Sequence, residues 1–335
     1  MRVKTGKLRV PLNLQFILTL ILFAMLSAPI DLALVRRLFA TSARIAGSEF
    51  LRREVASRMH EKLALVNLDA KTVLDAGCGD GVDLPLLSAR FPGAQVIGLD
   101  ASFERLRESS VRRNAQGGTM SALLSKWMPK PLHKSLHLQQ EWDWLCDDFS
   151  QVSIASARID MLWSNLALHW HPQPDLVLKE WFRLLRTNGL VMFSCFGPDT
   201  LIELKQAFAE VDGYPHSLSF VDMHDYGDML VSAGFATPVM DVERITLRYE
   251  TIAQLFADVR ALGGLPLTDR RQSLMGKNAY QLLLQRLESR RESDGRIPLS
   301  IELVFGHAFK PQATKLASGE SIIRLDFPKF PKKGA

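Results

Sequence analysis

Within "TVLDAGCGDGVDLPLLSARFPGAQVIGLDAS", Thr72 to Ser102, five residues have the types and spacing of a binding site: Asp75, Gly77, Gly79, Gly81 and Asp100. Small residues in a turn between strand and helix let a ligand approach the backbone, and the helix that follows turns its free N–H groups toward it. The pattern is Gly-x-Gly-x-Gly, with Val82 where a dinucleotide fingerprint carries its third glycine. No Gly-Lys-Ser/Thr follows, which excludes a P-loop. Asp75 lies two positions before the first glycine, where a carboxylate repels a pyrophosphate and holds an ammonium group. Asp100, followed by Ala101, closes the second predicted strand, where an acid accepts hydrogen bonds from two ribose hydroxyls. Cys78 reads as one more small residue in the turn.

Ribose at one end and an amino acid at the other describe S-adenosylmethionine, and this stretch resembles the first two motifs of class I methyltransferases. The resemblance implies that the glycine turn holds the methionine and ribose portions. It also places an acidic group near the adenine, and Asp147 and Asp148 end the predicted third strand; which of them faces the ligand is open at this level. The next strand runs into "WSNLALHW", Trp163 to Trp170, which puts Ser164 and Asn165 at the carboxyl edge beside the methyl group. His169 and His171 flank Trp170. Without a third ligand nearby in sequence they are not expected to hold a metal, and His169 and Trp170 are read as lining for a substrate pocket or as packing.

These residues need a scaffold, and the chain supplies one by alternation. Predicted strands at 72–76, 95–99, 159–164 and 190–195 alternate with helices at 82–90, 103–113 and 175–185, which predicts an α/β fold: a doubly wound, mostly parallel sheet with helices on both faces. The class I resemblance makes it seven-stranded. Residues 31–65 read as one or two amphipathic helices ahead of the sheet. Asn188 and Gly189 read as the turn into the strand at 190–195. Helices are expected at 201–211, 223–233, 252–262 and 280–290, with strands at 239–249 and 300–307. Residues 114–140, broken by Gly117, Gly118, Pro129 and Pro131, read as an insertion, and 311–335 as a basic tail.

With 335 residues, 47% apolar and 23% charged, the chain is long enough for a substantial core. Ten of its 41 Lys/Arg but only three of its 36 Asp/Glu fall in residues 1–60, leaving 31 bases against 33 acids elsewhere. The net +5 is therefore an N-terminal property, and a nucleic-acid-binding body is not expected. Cys78, Cys146 and Cys195 form no Cys-x-x-Cys pair, which fits a reducing, cytoplasmic setting. Residues 10–30 carry no charge and follow Arg2, Lys4, Lys7 and Arg9. Three readings stand for that run: sequence upstream of a start at Met25, a short membrane anchor, or an export signal.

Downstream, "SNLALHW", "FGPDTLIELKQAF", "VDMHDYGDMLVSAGF", "FADVRALGG" and "ELVFGHAFKP" resemble the malonyl-[acyl carrier protein] O-methyltransferases of biotin synthesis over roughly 31–311. The resemblance implies methyl transfer to the free carboxylate of a malonyl thioester on an acyl carrier protein. A carboxylate is already ionised at neutral pH, so positioning is the expected mechanism and no catalytic acid or base is assigned. Many members carry a Tyr-Asp pair where this chain has Ile45 and Ala46. "FLRREVASRM" and "LHW" also resemble a mitochondrial complex I assembly factor that hydroxylates an arginine. A methyltransferase for another small acid or a quinone precursor is the third reading. Between Ala101 and Gln140, Arg105, Arg107, Arg112, Arg113, Lys126, Lys130 and Lys134 face only two acids. Such a run reads as a solvated face or as a dock for an acidic carrier protein, with the three lysines as candidate substrate contacts.

Overall fold

The computed structural model describes residues 28–116 and 142–312. The expectations for most of the apolar N-terminal run, for Lys126, Lys130 and Lys134, and for the basic tail lie outside the described residues. Three helices precede the sheet: α1 (Leu32–Phe39), α2 (Ser42–Ile45) and α3 (Glu49–Ala64). The sheet then builds through β1 (Thr72–Ala76), α4 (Leu84–Arg90), β2 (Gln95–Asp100), α5 (Phe103–Gln116) and β3 (Asp143–Cys146). It continues with β4 (Ile159–Asn165), α6 (Pro174–Leu184) and β5 (Leu185–Phe196). The remainder is α7 (Ile202–Ala209), α8 (Met223–Ala233), β6 (Ala236–Tyr249), α9 (Ile252–Ala261), α10 (Lys277–Glu288) and β7 (Ile297–Phe309).

The seven strands lie in the order β3-β2-β1-β4-β5-β7-β6. β1 runs parallel to both β2 and β4, with Val73 opposite Val96 on one side and Met161 on the other. β7 is antiparallel to β5 and to β6, so the sheet is mixed and mostly parallel, as predicted. Strand order reverses between β1 and β4, and the carboxyl ends of these strands therefore diverge around a crevice.

Alternation along each strand feeds two cores. Val73, Met161, Trp163 and Met192 pack on the face covered by α3, while Leu74, Leu162, Val191 and Phe193 pack on the face covered by α6. On α3, Leu51, Val55, Met59 and Leu63 recur every four residues and are all buried. Burying one such side chain is worth about 1.5–3 kcal/mol, which anchors this helix across the sheet despite its charged outer face. α1 starts on Asp31, whose carboxylate accepts the Leu34 N–H at 3.0 Å, and buries Leu34 and Leu38.

Asn188 and Gly189 do not separate helix from strand. β5 begins directly after α6, and the pair forms an irregularity inside it: Leu185 is opposite Ile159, but Leu190 is opposite Met161. Asn188 takes φ +63° there, and its N–H donates to the Lys310 carbonyl at 2.8 Å. The closing strands are longer than expected because each supports the other, from Ala236 opposite Phe309 to Tyr249 opposite Ile297. The "FGPDT" and "ELVFGHAF" blocks are partners in this region. Gly197 and Thr200 bond the backbone of Glu302, and the Glu302 carboxylate accepts the Asp199 N–H at 2.6 Å.

Candidate functional site

The crevice holds a cavity of about 140 Å³. It is bordered by Asp75, Gly77, Gly79, Asp100, Ala101, Asp148, Asn165 and Trp170, eight of the residues expected from the sequence. Gly77, Gly79 and Gly81 all have positive φ. At Gly77 a Cβ would also fall 2.4 Å from that of Ala167, so the β1 turn and the loop after β4 can meet only with glycine there.

Five aspartates converge on this cavity. Asp75 is 2% exposed, and among the described residues no donor or cation is paired with its carboxylate. Burial first, then repulsion from Asp83 and Asp100, hold its pKa well above the ordinary range. Asp83 accepts the Trp163 indole N–H at 2.9 Å and an Asn165 amide N–H at 3.0 Å, and burial also raises it. Asp100 accepts the Gly79 N–H at 2.9 Å and the Ser102 N–H at 2.8 Å, which fixes the turn to the end of β2. Its carboxylate is raised by burial against the pull of those two bonds. Asp80 completes the turn and pairs with Arg105 at 3.2 Å. Asp148 pairs with Arg36 of α1 at 3.0 Å.

The positive charges come from helices. Arg105 is 3% exposed, and its Nε and Nη1 have no hydrogen-bond partner among the described residues. Arg52 of α3 borders the same cavity, its pKa lowered chiefly by burial. Phe149, beside Asp148, adds an aromatic wall, and Leu32, Val35, Phe39 and Ile45 from the first two helices close the apolar side.

The residues present suit S-adenosylmethionine. An unpaired, buried carboxylate calls for a cation, and Asp75 offers that to an ammonium group. Asp100 keeps lone pairs for ribose hydroxyls, and Arg52 and Arg105 offer guanidinium N–H groups to a carboxylate.

Four expected residues do not border the cavity. Gly81 faces the Trp144 ring, where a Cβ would come within 2.6 Å, so its role is close packing. Asp147 turns away and accepts the N–H groups of Asp148 and Ser153, so of the two acids Asp148 is the one at the cavity. Ser164 is fully buried and donates to the Ala76 carbonyl, because neighbours on a strand face opposite ways and Asn165 takes the cavity side. His169 accepts the Phe196 N–H at 3.4 Å and lies against Trp170, Phe196 and Phe220. Burial pushes its pKa down to about 3, which makes it a neutral packing ring. Arg105 is no part of an exposed basic face, since it lines the cavity instead. Arg52, Asp83 and Phe149 were not singled out from the sequence. The signal for Arg105 was there: Ser102, Arg105, Leu106 and Ser109 share one helical face, and all are buried.

Fold and site together define a class I S-adenosylmethionine-dependent methyltransferase. A family profile described as a methyltransferase domain matches residues 48–237. The YcgJ protein of Bacillus subtilis shares the fold, with a TM-score of 0.51 at 12% identity over 78% of this chain and 100% of that one. A malonyl-[acyl-carrier protein] O-methyltransferase of Laribacter hongkongensis is 44% identical over 279 residues, 82% of this chain and 89% of the relative. One from Gallionella capsiferriformans is 40% identical over 300 residues, 89% of this chain and 97% of the relative. The chain belongs to the malonyl-[acyl-carrier protein] O-methyltransferase family.

Proposed function

We propose that this protein methylates the free carboxylate of a malonyl group carried on an acyl carrier protein, as a step of biotin synthesis in the cytoplasm. The observation that carries the reading is the extent of the match. Relatives bearing that activity in their names align over 82–89% of this chain, well past the cofactor half. The three cysteines are free thiols, which suits a reducing compartment.

When bound, S-adenosylmethionine would supply an electrophilic methyl group to an ionised carboxylate oxygen. No proton has to move, and the task left to the protein is alignment and exclusion of water. Asp75 would hold the ammonium group, Asp100 the ribose, Asp148 and Phe149 the adenine end, and Arg52 and Arg105 the methionine carboxylate. Asn165 bonds Asp83, the backbone of Arg52 and Ser194, and so fixes the floor between β1 and β4. Trp170 borders this cavity and a second one. Intact-mass measurement of malonyl carrier protein incubated with enzyme and S-adenosylmethionine tests the reading. One methyl in place of a hydrogen is expected, and an unchanged mass with active cofactor binding refutes it.

A further inference from the structure

A second cavity, of about 290 Å³, lies on the other side of Trp170, and that indole borders both. Its walls are largely aromatic and aliphatic, including Phe196, Leu204, Phe208, Phe220 and Phe256. The two cavities differ sharply in charge. Five aspartates and three arginines line the first, whereas among the described residues no acid lines the second, whose permanently charged residues are Arg44 and Arg260.

Both arginines are exposed, and neither guanidinium has a hydrogen bond or ion pair among the described residues. Arg44 sits on α2 and Arg260 in the last turn of α9, two helices packed together. The "ALGG" end of the "FADVRALGG" block runs between Trp170 and Arg44. Gly263 (φ +132°) lies so close to Trp170 and Phe39 that a Cβ would come within 2.6 Å of either ring. Gly264 (φ +78°) runs beside the Arg44 guanidinium, where a Cβ would sit 3.3 Å from Nη2. Two glycines in conformations that disfavour side chains thus set Arg44 next to the ring that separates the cavities.

We infer that the second cavity receives the methyl acceptor, and that Arg44, backed by Arg260, binds its free carboxylate at the Trp170 end. This rests on the reading that the acceptor is a carboxylate on an acyl thioester. The charge sorting gives the reason: a cationic donor belongs on the side with the acids, and an anionic acceptor on the side with unpaired guanidinium groups. Apolar walls take the methylene and thioester beyond it. A guanidinium at the lip, shared with water, holds one carboxylate oxygen and leaves the other for attack. The methyl ester has no charge for Arg44 to hold, so the same contact favours departure of the product.

The test compares wild type, Arg44→Gln, Arg44→Lys and Arg260→Gln in the full chain, with a malonyl N-acetylcysteamine thioester that carries a carboxylate but no phosphate. Each Gln variant is expected to raise KM by about tenfold, with kcat within about threefold, because a charge-assisted contact is lost while the reacting geometry stays. Arg44→Lys should recover part of the loss, and affinity for S-adenosylhomocysteine should not change. An unchanged KM overturns the inference, as does an effect seen only with phosphopantetheine-bearing substrates, which would assign the arginines to the phosphate of the arm. An equal loss of S-adenosylhomocysteine affinity overturns it too. Calorimetry with malonate on protein loaded with S-adenosylhomocysteine reads the anion site even if no methyl transfer to malonyl thioesters is found. Loss of that heat in Arg44→Gln supports the site, and no binding to the wild type, or equal binding to both, refutes it.

Discussion

Replacing Asp75 by Asn should stabilise the protein without cofactor and weaken its hold on S-adenosylmethionine, two effects of opposite sign from one atom. The wild-type carboxylate is buried without a partner, with Asp83 and Asp100 adding repulsion, and its pKa stands well above the usual 3.8. Between 3.8 and that raised midpoint the folded state binds more protons than the unfolded state, so stability falls as pH rises through this window. One fully differing proton is worth about 1.4 kcal/mol per pH unit. The amide does not titrate, so the gap between variant and wild type should open at about that rate as pH rises from 4 and level off above the midpoint. Urea denaturation of both proteins at several pH values measures it. Cofactor affinity should fall by about tenfold or more, since a charge-assisted hydrogen bond is worth about 1.5–3 kcal/mol. Cofactor binding to the wild type should also release protons below the midpoint, visible in calorimetry as a heat that depends on the buffer. A variant that is less stable than wild type at neutral pH, or that binds the cofactor equally well, would refute the assignment of Asp75 as an ammonium site.

Asp100→Ala should behave differently, because it leaves the N–H groups of Gly79 and Ser102 without an acceptor. A loss of about 1–3 kcal/mol in urea denaturation should accompany a tenfold or greater loss in cofactor affinity, and unchanged affinity in calorimetry would remove the ribose role. His169→Phe should flatten the acid side of the stability profile. The neutral ring has its pKa lowered from 6.5 to about 3, so wild-type stability is full above 6.5 and declines by about 1.4 kcal/mol per unit as pH falls below it. Equal slopes for both proteins in denaturation at pH 7, 6 and 5 would show that His169 is not buried neutral.

The cofactor half was legible because its signals are local. Asp75, the glycine turn and Asp100 all belong to one strand–turn–helix–strand unit, and their order along the chain is their order around the ligand. Orientation was harder. Spacing alone could not tell that Asp148 and not Asp147 faces inward, or that the Leu168–Trp170 turn sends its indole to the cavity and its imidazole into the aromatic core. The basic run beginning at Arg105 looked like a surface because charge was counted without periodicity. The second cavity had no local signature at all. Arg44, Trp170, Phe220 and Arg260 come from four separate parts of the chain, and only the folded packing of α2 and α9 brings them together. Long β6 and β7 extend past their predicted ends for the same reason, each stabilised by a partner roughly sixty residues away in sequence.

The cover of the cofactor cavity has a further consequence for how the molecule is made. Its first visible turns are tied down far along the chain: the Asp31 N–H donates to the Pro266 carbonyl, and the Thr268 N–H to the Pro29 carbonyl, 2.8 and 2.9 Å respectively. Residues 29 and 268 are 239 positions apart. Domains fold largely as their segments leave the ribosome, and contacts of such long separation form late. The glycine turn and both carboxylates of its ends can therefore be in place while α1 still lacks the loop that seats it. Synthesised before any other described helix, α1 is among the last to dock, and the nascent enzyme can hold its cofactor tightly only once most of the chain is out.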